Sequence, residues 1–197
     1  MVYNLMKKFY NIFSSALYAD NLNLDCSKMI SEILSIKKSS GGRIVSNCNG
    51  WQSEEYTQVQ KPFEELFDKI YFAVNEYIDQ IKYEKNLNLD NYWFNINSLG
   101  SFNRPHNHGN GEVCLAGVFY LSVPENSGNI VFQSPMFMLP NSFPSSNDFN
   151  EWTSSTYSYV PKENSFLLFP SYLQHYVEPS MSNQDRITLG FNYKVAR

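Results

Sequence analysis

The residues best suited to chemistry are the chain's three histidines. His106 and His108 are separated by one residue, and His175 lies far along the chain in another apolar segment. On an extended backbone, residues i and i+2 point the same way, so His106 and His108 can present both imidazoles to one face. Imidazole is the commonest protein ligand for mid-row metals, and three protein ligands with open positions are typical of a catalytic site. The spacing favours a metal site over three unrelated histidines.

A second candidate is Arg186, which opens the segment RITLGFNYKV. Apolar and polar residues alternate strictly here, which predicts a strand with Arg186 and Thr188 on one face and the apolar residues on the other. Considered alone, the pattern indicates only that Arg186 lies on a solvated strand face. If this strand lies beside that of His175, the guanidinium can instead enter the metal cavity and bind a dicarboxylate through two hydrogen bonds, helped by the Thr188 hydroxyl.

The bulk composition describes a folded, strand-rich protein. Of the 197 residues, 43% are hydrophobic, 16% aromatic and only 17% charged, and aromatic residues favour strands. The net charge of −4 argues against nonspecific nucleic-acid binding, which needs a basic surface. Three widely spaced cysteines, Cys26, Cys48 and Cys114, suggest reduced thiols in a cytoplasm rather than a disulfide framework. No stretch has the roughly 20 apolar residues of a membrane-spanning helix.

Two helices are expected before the strands begin. Apolar residues recur at helical spacing in 25–38, and Gly41 and Gly42 follow as a stop signal. A stronger pattern covers 62–83, with Pro62 at its start and acidic residues in the first turn. The aromatic segment 9–18 could form an opening strand. The apolar face of the second helix needs a partner, most simply one face of a sheet.

From about residue 92, short strand-like runs alternate with turn residues, which suggests a sandwich or barrel. The runs are YWFNINSL, VCLAGVFYLSV, NIVFQ, TYSYV, SFLLFP, QHYVE and RITLGFNYKV. The segment 134–155 has no clear pattern and is a candidate lid over a site. The loop 46–53 around Trp51 could cover the site as well.

Taken together, these pieces resemble the 2-oxoglutarate–iron(II) oxygenase family found in marine phages and bacteria. The matching segments occur in the family's order between residues 46 and 195: SNCNGWQS, YWFNINSLGSFNRPHNH, LAGVFYLSVPENSGNIVFQSP, FLLFPSYLQHYVEP and RITLGFNYKV. Each piece alone is a weak signal. The set is fairly specific.

The resemblance implies a mainly β protein with helices, of the α+β class and prolyl-hydroxylase-like. Its core would be a double-stranded β-helix, or jelly-roll barrel, buttressed by N-terminal helices. We expect a single domain, 1–197, in which 1–90 form the helical buttress and opening strands and 91–197 form the jelly-roll core with the metal site.

The resemblance also implies a site and a reaction. Iron(II) would be bound by His106, His108 and His175, and 2-oxoglutarate would chelate the metal with its distal carboxylate on Arg186 and Thr188. The partners would be 2-oxoglutarate, O2 and an unidentified substrate, hydroxylated as 2-oxoglutarate loses carbon dioxide to become succinate. Three further residues could line the same cavity: Asn95, Asn97 and Tyr120. Homodimer formation through an edge strand is possible, and a phage-encoded protein would act in a host cytoplasm.

One feature departs from the widespread pattern of the superfamily, which has two histidines and one carboxylate. Histidine stands at position 108, where Asp or Glu would be usual. Either the site has three histidines, or a carboxylate comes from Glu112, Glu178 or Asp185.

The sequence leaves two other functions open. Gly100, His106, His108 and Glu112 resemble the first motif of a cupin metalloenzyme that needs no 2-oxoglutarate, although the downstream half fits less well. A jelly roll can also be a binding module without catalysis, because fold alone does not fix function.

Overall fold

The computed structural model describes residue 11 and residues 13–109, 111–136 and 148–196. Two helices and eleven strands are found in these residues. In chain order they are β1 (Tyr18–Asn21), α1 (Ser27–Ser39), β2 (Asn47–Cys48), β3 (Trp51–Gln52), α2 (Glu64–Gln80), β4 (Leu87–Asn97), β5 (Phe102–His106), β6 (Val113–Ser122), β7 (Ile130–Gln133), β8 (Thr156–Tyr159), β9 (Ser165–Pro170), β10 (His175–Val177) and β11 (Arg186–Val195).

The strands form two antiparallel sheets. One has the order β1-β9-β6-β11-β4-β3 and the other the order β2-β5-β10-β7-β8. Apolar side chains of β6 and β9 pack against those of β7 between the sheets, so the two inner faces share one interior. The fold is mainly β with two helices, and it is the expected double-stranded β-helix. Strands β1, β2 and β3 join the same sheets as the later strands, and the single-domain assignment stays a prediction.

Strand β11 has both faces buried, and for different reasons. Ile187, Leu189 and Phe191 belong to the main hydrophobic core with the helices. The alternate residues Arg186 and Thr188 line a cavity between the sheets. Because side chains alternate along a strand, one segment contributes to the core and to the cavity at the same time.

The helices cover the outer face of the six-stranded sheet. Helix α2 contributes Leu66, Ile70 and Val74 to a core that also contains Phe94 and Phe191. Helix α1 adds a smaller apolar face to the same core. Both predicted helices are confirmed, the second with shorter bounds. No helix in the described part of the chain combines the length and apolar character needed to cross a membrane.

The seven predicted strands are confirmed. The segment 46–53, expected as a loop, contains the two-residue strands β2 and β3, and β5 was missed. It contains Pro105, which cannot donate a backbone hydrogen bond and weakens a strand pattern. The pairing of β5 with β10 is irregular next to this proline. The expected opening strand 9–18 overlaps β1 only at Tyr18, and residues 1–10 and 12 lie outside the described residues. So do residues 137–147 of the candidate lid.

We predict that the attachment of α2 to the sheet is essential for stability. Ile70 is fully buried and Phe72 on the same helix is 70% exposed. Ile70→Ala should lower the free energy of unfolding by about 2–5 kcal/mol, since it leaves a core cavity. Phe72→Ala, the matched control, should change it by less than about 0.5 kcal/mol. Urea denaturation measures both. Equal effects would mean that α2 does not pack as described.

Candidate metal centre

The three histidine rings converge at one end of the cavity. His106 ends β5 and His175 begins β10, and the two are direct partners across the strands. His108 follows β5, and its backbone N–H donates to the Ser171 carbonyl at 2.8 Å, which ties it to the turn before β10. The potential ligand atoms of the three side chains all lie within 4.8 Å of one another. Backbone pairing therefore brings together residues that are about 70 positions apart in the chain.

Each ring is held by a hydrogen bond at Nδ1. His106 Nδ1 lies 2.7 Å from the carbonyl oxygen two residues before it, and His175 Nδ1 lies 3.0 Å from the corresponding oxygen. His108 Nδ1 lies 2.7 Å from Oδ1 of Asn192. These oxygens can only accept, so each Nδ1 must carry a proton and donate it. In a neutral imidazole, Nε2 then keeps its lone pair for a metal.

The site keeps these rings neutral. Burial lowers the pKa of His108 to about 4. Burial, reinforced by the two neighbouring imidazoles, lowers the pKa of His175 to about 3, and burial also lowers the pKa of His106. His108 Nε2 is buried and has no hydrogen-bond partner. A buried lone pair without a partner is costly, and a metal cation at the centre of the three rings would satisfy it.

No carboxylate completes this cluster among the described residues. The one group of potential metal ligands there consists of the three histidines, and Glu112, Glu178 and Asp185 do not line the cavity. Glu178 accepts a backbone N–H, and Asp185 lies 3.7 Å from the Lys37 ammonium. The candidate donor set among the described residues is therefore three imidazoles, and the fourth ligand of the cupin alternative is not in place.

The histidines share a cavity of about 400 Å³ with Arg186. Thr188 of β11 is paired with Asn95 of β4 on one side and with Tyr120 of β6 on the other. All three line the cavity and form a row across the sheet next to Arg186. Burial raises the pKa of Tyr120, so its hydroxyl stays protonated and can donate.

Arg186 is a buried cation without an acidic partner. It is 3% exposed, and its Nη1 donates to the carbonyl oxygens of Ser127 at 3.0 Å and Gly128 at 2.9 Å. Its Nε has no hydrogen-bond partner. No ion pair in the described part of the chain involves Arg186. Because a buried charge is strongly unfavourable unless it is paired, this end of the cavity suits an anion.

Asn97 is the exception among the residues expected to line the cavity. It is 2% exposed, lies outside the lining, and its amide donates to Asn103 Oδ1 at 3.3 Å. Asn97 therefore does not contribute to the cavity wall. Trp51 also lies outside the cavity lining, and its indole N–H donates to the Ser40 carbonyl. Ser46 and Gln52 of the loop 46–53 do line the cavity.

Trp93 and Asn192 were not predicted as site residues. The Trp93 ring covers Gly190, where an added Cβ would come within 2.6 Å of the indole, and its centroid lies 5.6 Å from that of His108. Both Trp93 and Asn192 line the cavity. The period-two alternation that singled out Asn95 and Arg186 includes these residues too, but alternation does not say which positions carry function.

We predict that metal-free protein binds one equivalent of cobalt(II) through the three histidines. Removing one ring should weaken binding by more than the roughly 10–100-fold that loss of a ligand's outer hydrogen-bond partner typically causes. Equilibrium dialysis of His175→Ala tests this, with Asn107→Ala as control, because Asn107 is exposed between two ligands. Wild-type affinity in His175→Ala would contradict the site.

A second prediction uses Trp93 as a reporter. Its ring lies close to His108, so bound paramagnetic cobalt(II) should quench its fluorescence strongly. Trp93→Phe should abolish most of the quenching. Trp152→Phe should leave it, since Trp152 does not line this cavity. Quenching that survives Trp93→Phe and disappears in Trp152→Phe would place the metal elsewhere.

Solved structures with the same architecture are found among oxygenases. A prolyl-4-hydroxylase from Pseudomonas putida aligns with a TM-score of 0.65 at 12% identity, over 93% of this chain and 95% of that chain. A viral collagen prolyl hydroxylase from Paramecium Bursaria Chlorella virus-1, in a 2-oxoglutarate complex, aligns with a TM-score of 0.59 at 16% identity, over 91% and 96%. At such identities the similarity shows a shared fold. No curated protein sequence matches the chain.

The sequence itself matches one family profile. The family is described as "Putative 2OG-Fe(II) oxygenase", and the match covers residues 91–192, just over half of the chain. This range includes the three histidines, Arg186 and Thr188. The chain belongs to this 2OG-Fe(II) oxygenase family and is an iron(II)- and 2-oxoglutarate-dependent dioxygenase.

Proposed function

We propose that His106, His108 and His175 hold the iron, that Arg186 and Thr188 bind the distal carboxylate of 2-oxoglutarate, and that the enzyme hydroxylates its substrate. One observation carries this assignment: a buried guanidinium without an acidic partner shares a cavity with three imidazoles that present Nε2. A cation and a metal site in one cavity suit a small dianion that can bridge them.

A three-histidine centre together with Arg186 favours an anionic cosubstrate. Three neutral imidazoles leave iron(II) its formal charge of plus two and Arg186 adds plus one, so the two negative charges of 2-oxoglutarate would reduce a total of plus three to plus one. Bound iron(II) with 2-oxoglutarate supplies the oxygen activation and C–H oxidation of the family. The chain's own residues fix the geometry: the Nδ1 hydrogen bonds orient the rings, and the apolar side chains around them, Phe132 and Phe169, limit access of water.

Arg186 is the residue that selects the cosubstrate. Its Nη1 is anchored to two carbonyls and its Nε has no partner, so the guanidinium is held in place with donor capacity left for a carboxylate. The Thr188 hydroxyl can donate to the same group. Asn95 and Tyr120 flank Thr188 and are proposed to contact the cosubstrate. Asn95 Oδ1 is buried without a partner.

The substrate would enter over the metal into a cavity that contains several amide side chains. Gln52, Asn103 and Asn107 line it together with the Trp93 ring. A protein side chain, a free amino acid, a nucleotide and a small metabolite remain candidates. Two of the structures with this fold are prolyl hydroxylases, so a proline-containing peptide is the first substrate to test.

Three expectations from the sequence stay predictions. They are a cytoplasmic location, in a host cell if a phage encodes the protein; pairing of two chains through an edge strand; and no role in nucleic-acid binding.

We predict that Arg186→Met abolishes tight 2-oxoglutarate binding and leaves metal binding intact. Methionine keeps much of the side-chain volume but offers no hydrogen-bond donor. Truncating one partner of a buried charge pair typically costs on the order of 2–5 kcal/mol of binding free energy. Calorimetry of 2-oxoglutarate with the cobalt(II) protein measures this, and iron-dependent succinate formation should fall in parallel.

Arg104→Met is the matched control, because Arg104 is exposed on β5. It should bind 2-oxoglutarate as the wild type does. Unchanged binding in Arg186→Met would contradict the assignment. A wild-type protein that neither binds metal nor forms succinate would favour the alternative of a binding module without catalysis.

A further inference from the structure

A continuous line of hydrogen bonds runs from His108 to the protein surface. His108 Nδ1 lies 2.7 Å from Asn192 Oδ1, and Asn192 Nδ2 donates to Asn91 Oδ1 at 2.9 Å. Asn91 Nδ2 then donates to Glu55 Oε2 at 2.9 Å. The other carboxylate oxygen of Glu55 accepts from Arg43 at 2.9 Å. Two amides thus connect a potential metal ligand to an acidic side chain.

The direction of this line is fixed at its outer end. A carboxylate can only accept hydrogen bonds, so Asn91 must turn its NH2 group toward Glu55 and its oxygen toward Asn192. Asn192 must then offer its NH2 group to Asn91 and its oxygen to His108. The only group left to donate in the last bond is Nδ1–H of His108. The carboxylate therefore dictates, through two amides, which nitrogen of the imidazole carries the proton.

Strand pairing accounts for the alignment. Asn192 of β11 and Asn91 of β4 are direct partners across the sheet. Glu55 precedes Tyr56, which forms an isolated bridge with Tyr92, so Glu55 is held beside Asn91. Asn192 is only 8% exposed, whereas the side chain of Glu55 is 41% exposed. The line of hydrogen bonds therefore connects His108 in the histidine cluster to a solvent-exposed carboxylate.

His108 differs from the other two histidines in the kind of hydrogen-bond acceptor that its Nδ1 contacts. His106 and His175 donate to backbone carbonyl oxygens near them in the chain, which no substitution removes and which cannot reverse direction. The acceptor for His108 is a side-chain amide 84 positions away. An amide can turn over and present NH2 instead, which would force the proton onto Nε2 and block the metal-binding atom. His108 therefore needs a device that fixes the amide.

We propose that Glu55, Asn91 and Asn192 form a positioning relay that keeps the His108 proton on Nδ1 and so makes Nε2 the metal ligand. The proposal rests on the metal ligands assigned under the proposed function. It also links a carboxylate to the centre indirectly. Hydrogen bonds connect Glu55 to His108, which stands where the superfamily usually has a directly bound carboxylate. Outer partners of this kind orient the ring and raise its basicity as a ligand.

The tautomer of His108 is the most direct readout, because a residue with only a packing role would not change it. The chain has three histidines, so long-range ¹H–¹⁵N spectra of tag-free, metal-free protein contain few imidazole signals. Single His→Ala variants assign them. We expect the Nδ1–H tautomer for His108 in the wild type and a population of the Nε2–H tautomer in Asn192→Ala. Cobalt(II) affinity should fall by about 10–100-fold in the same variant.

Two further variants separate the relay from packing. Asn192→Asp keeps an oxygen for the Nδ1 proton, so it should keep the wild-type tautomer and bind cobalt(II) better than Asn192→Ala. Glu55→Gln is isosteric at an exposed site, but glutamine can donate where the carboxylate only accepts, so both amides can reverse. It should produce a mixture of His108 tautomers. Asn88→Ala, at an exposed position of β4, is the control and should behave as the wild type.

The outcomes are distinguishable. If Asn192→Ala and Glu55→Gln keep the Nδ1–H tautomer and wild-type cobalt(II) affinity, the relay is wrong even though the metal centre stands. A loss of affinity in Asn88→Ala equal to that in Asn192→Ala would also overturn it, because the effect would then be general. If the wild type binds no cobalt(II), the proposed function fails, and the tautomers of the metal-free variants still decide whether the relay operates.

Discussion

The central place of β11 is the constraint on which the fold and the site both depend. The strand is paired along nearly its whole length with β4 on one side and β6 on the other, so its side chains cannot rotate away from either face. One face packs against the helices. The other carries Arg186, Thr188 and Asn192 toward the three histidines. A register shift of one residue would exchange the two faces and remove core and site together.

The site combines neutral ligands with an unpaired cation. Three imidazoles with lowered pKa bring no charge to the metal, and Arg186 adds a buried positive charge that no described acidic residue offsets. Such a cavity is electrostatically unfavourable when empty and favours a dianion. The proposed cosubstrate would reduce this positive charge, and the proposed relay links Glu55, whose carboxylate side chain also lines the cavity, to the outer side of His108.

Local patterns predicted the elements well and the contacts between them poorly. The alternation in 186–195 predicted β11 with its bounds, and the His-x-His spacing predicted two converging rings. The register of β4 against β11, which sets Asn91 beside Asn192 across 101 positions, has no local signature. Strand β5 was hidden by Pro105. Asn97 was expected in the cavity because it continues the alternation of β4, but its amide is hydrogen-bonded to Asn103, which does line the cavity.

The most direct test of the account is an anaerobic titration of the metal-free protein with iron(II) and 2-oxoglutarate, followed by visible absorption. We expect the charge-transfer band of a chelated 2-oxoglutarate–iron(II) complex, saturating at one equivalent of each, in the wild type. The band should be absent in His175→Ala. A folded protein that binds iron(II) yet develops no such band with 2-oxoglutarate would contradict the assignment of the cavity.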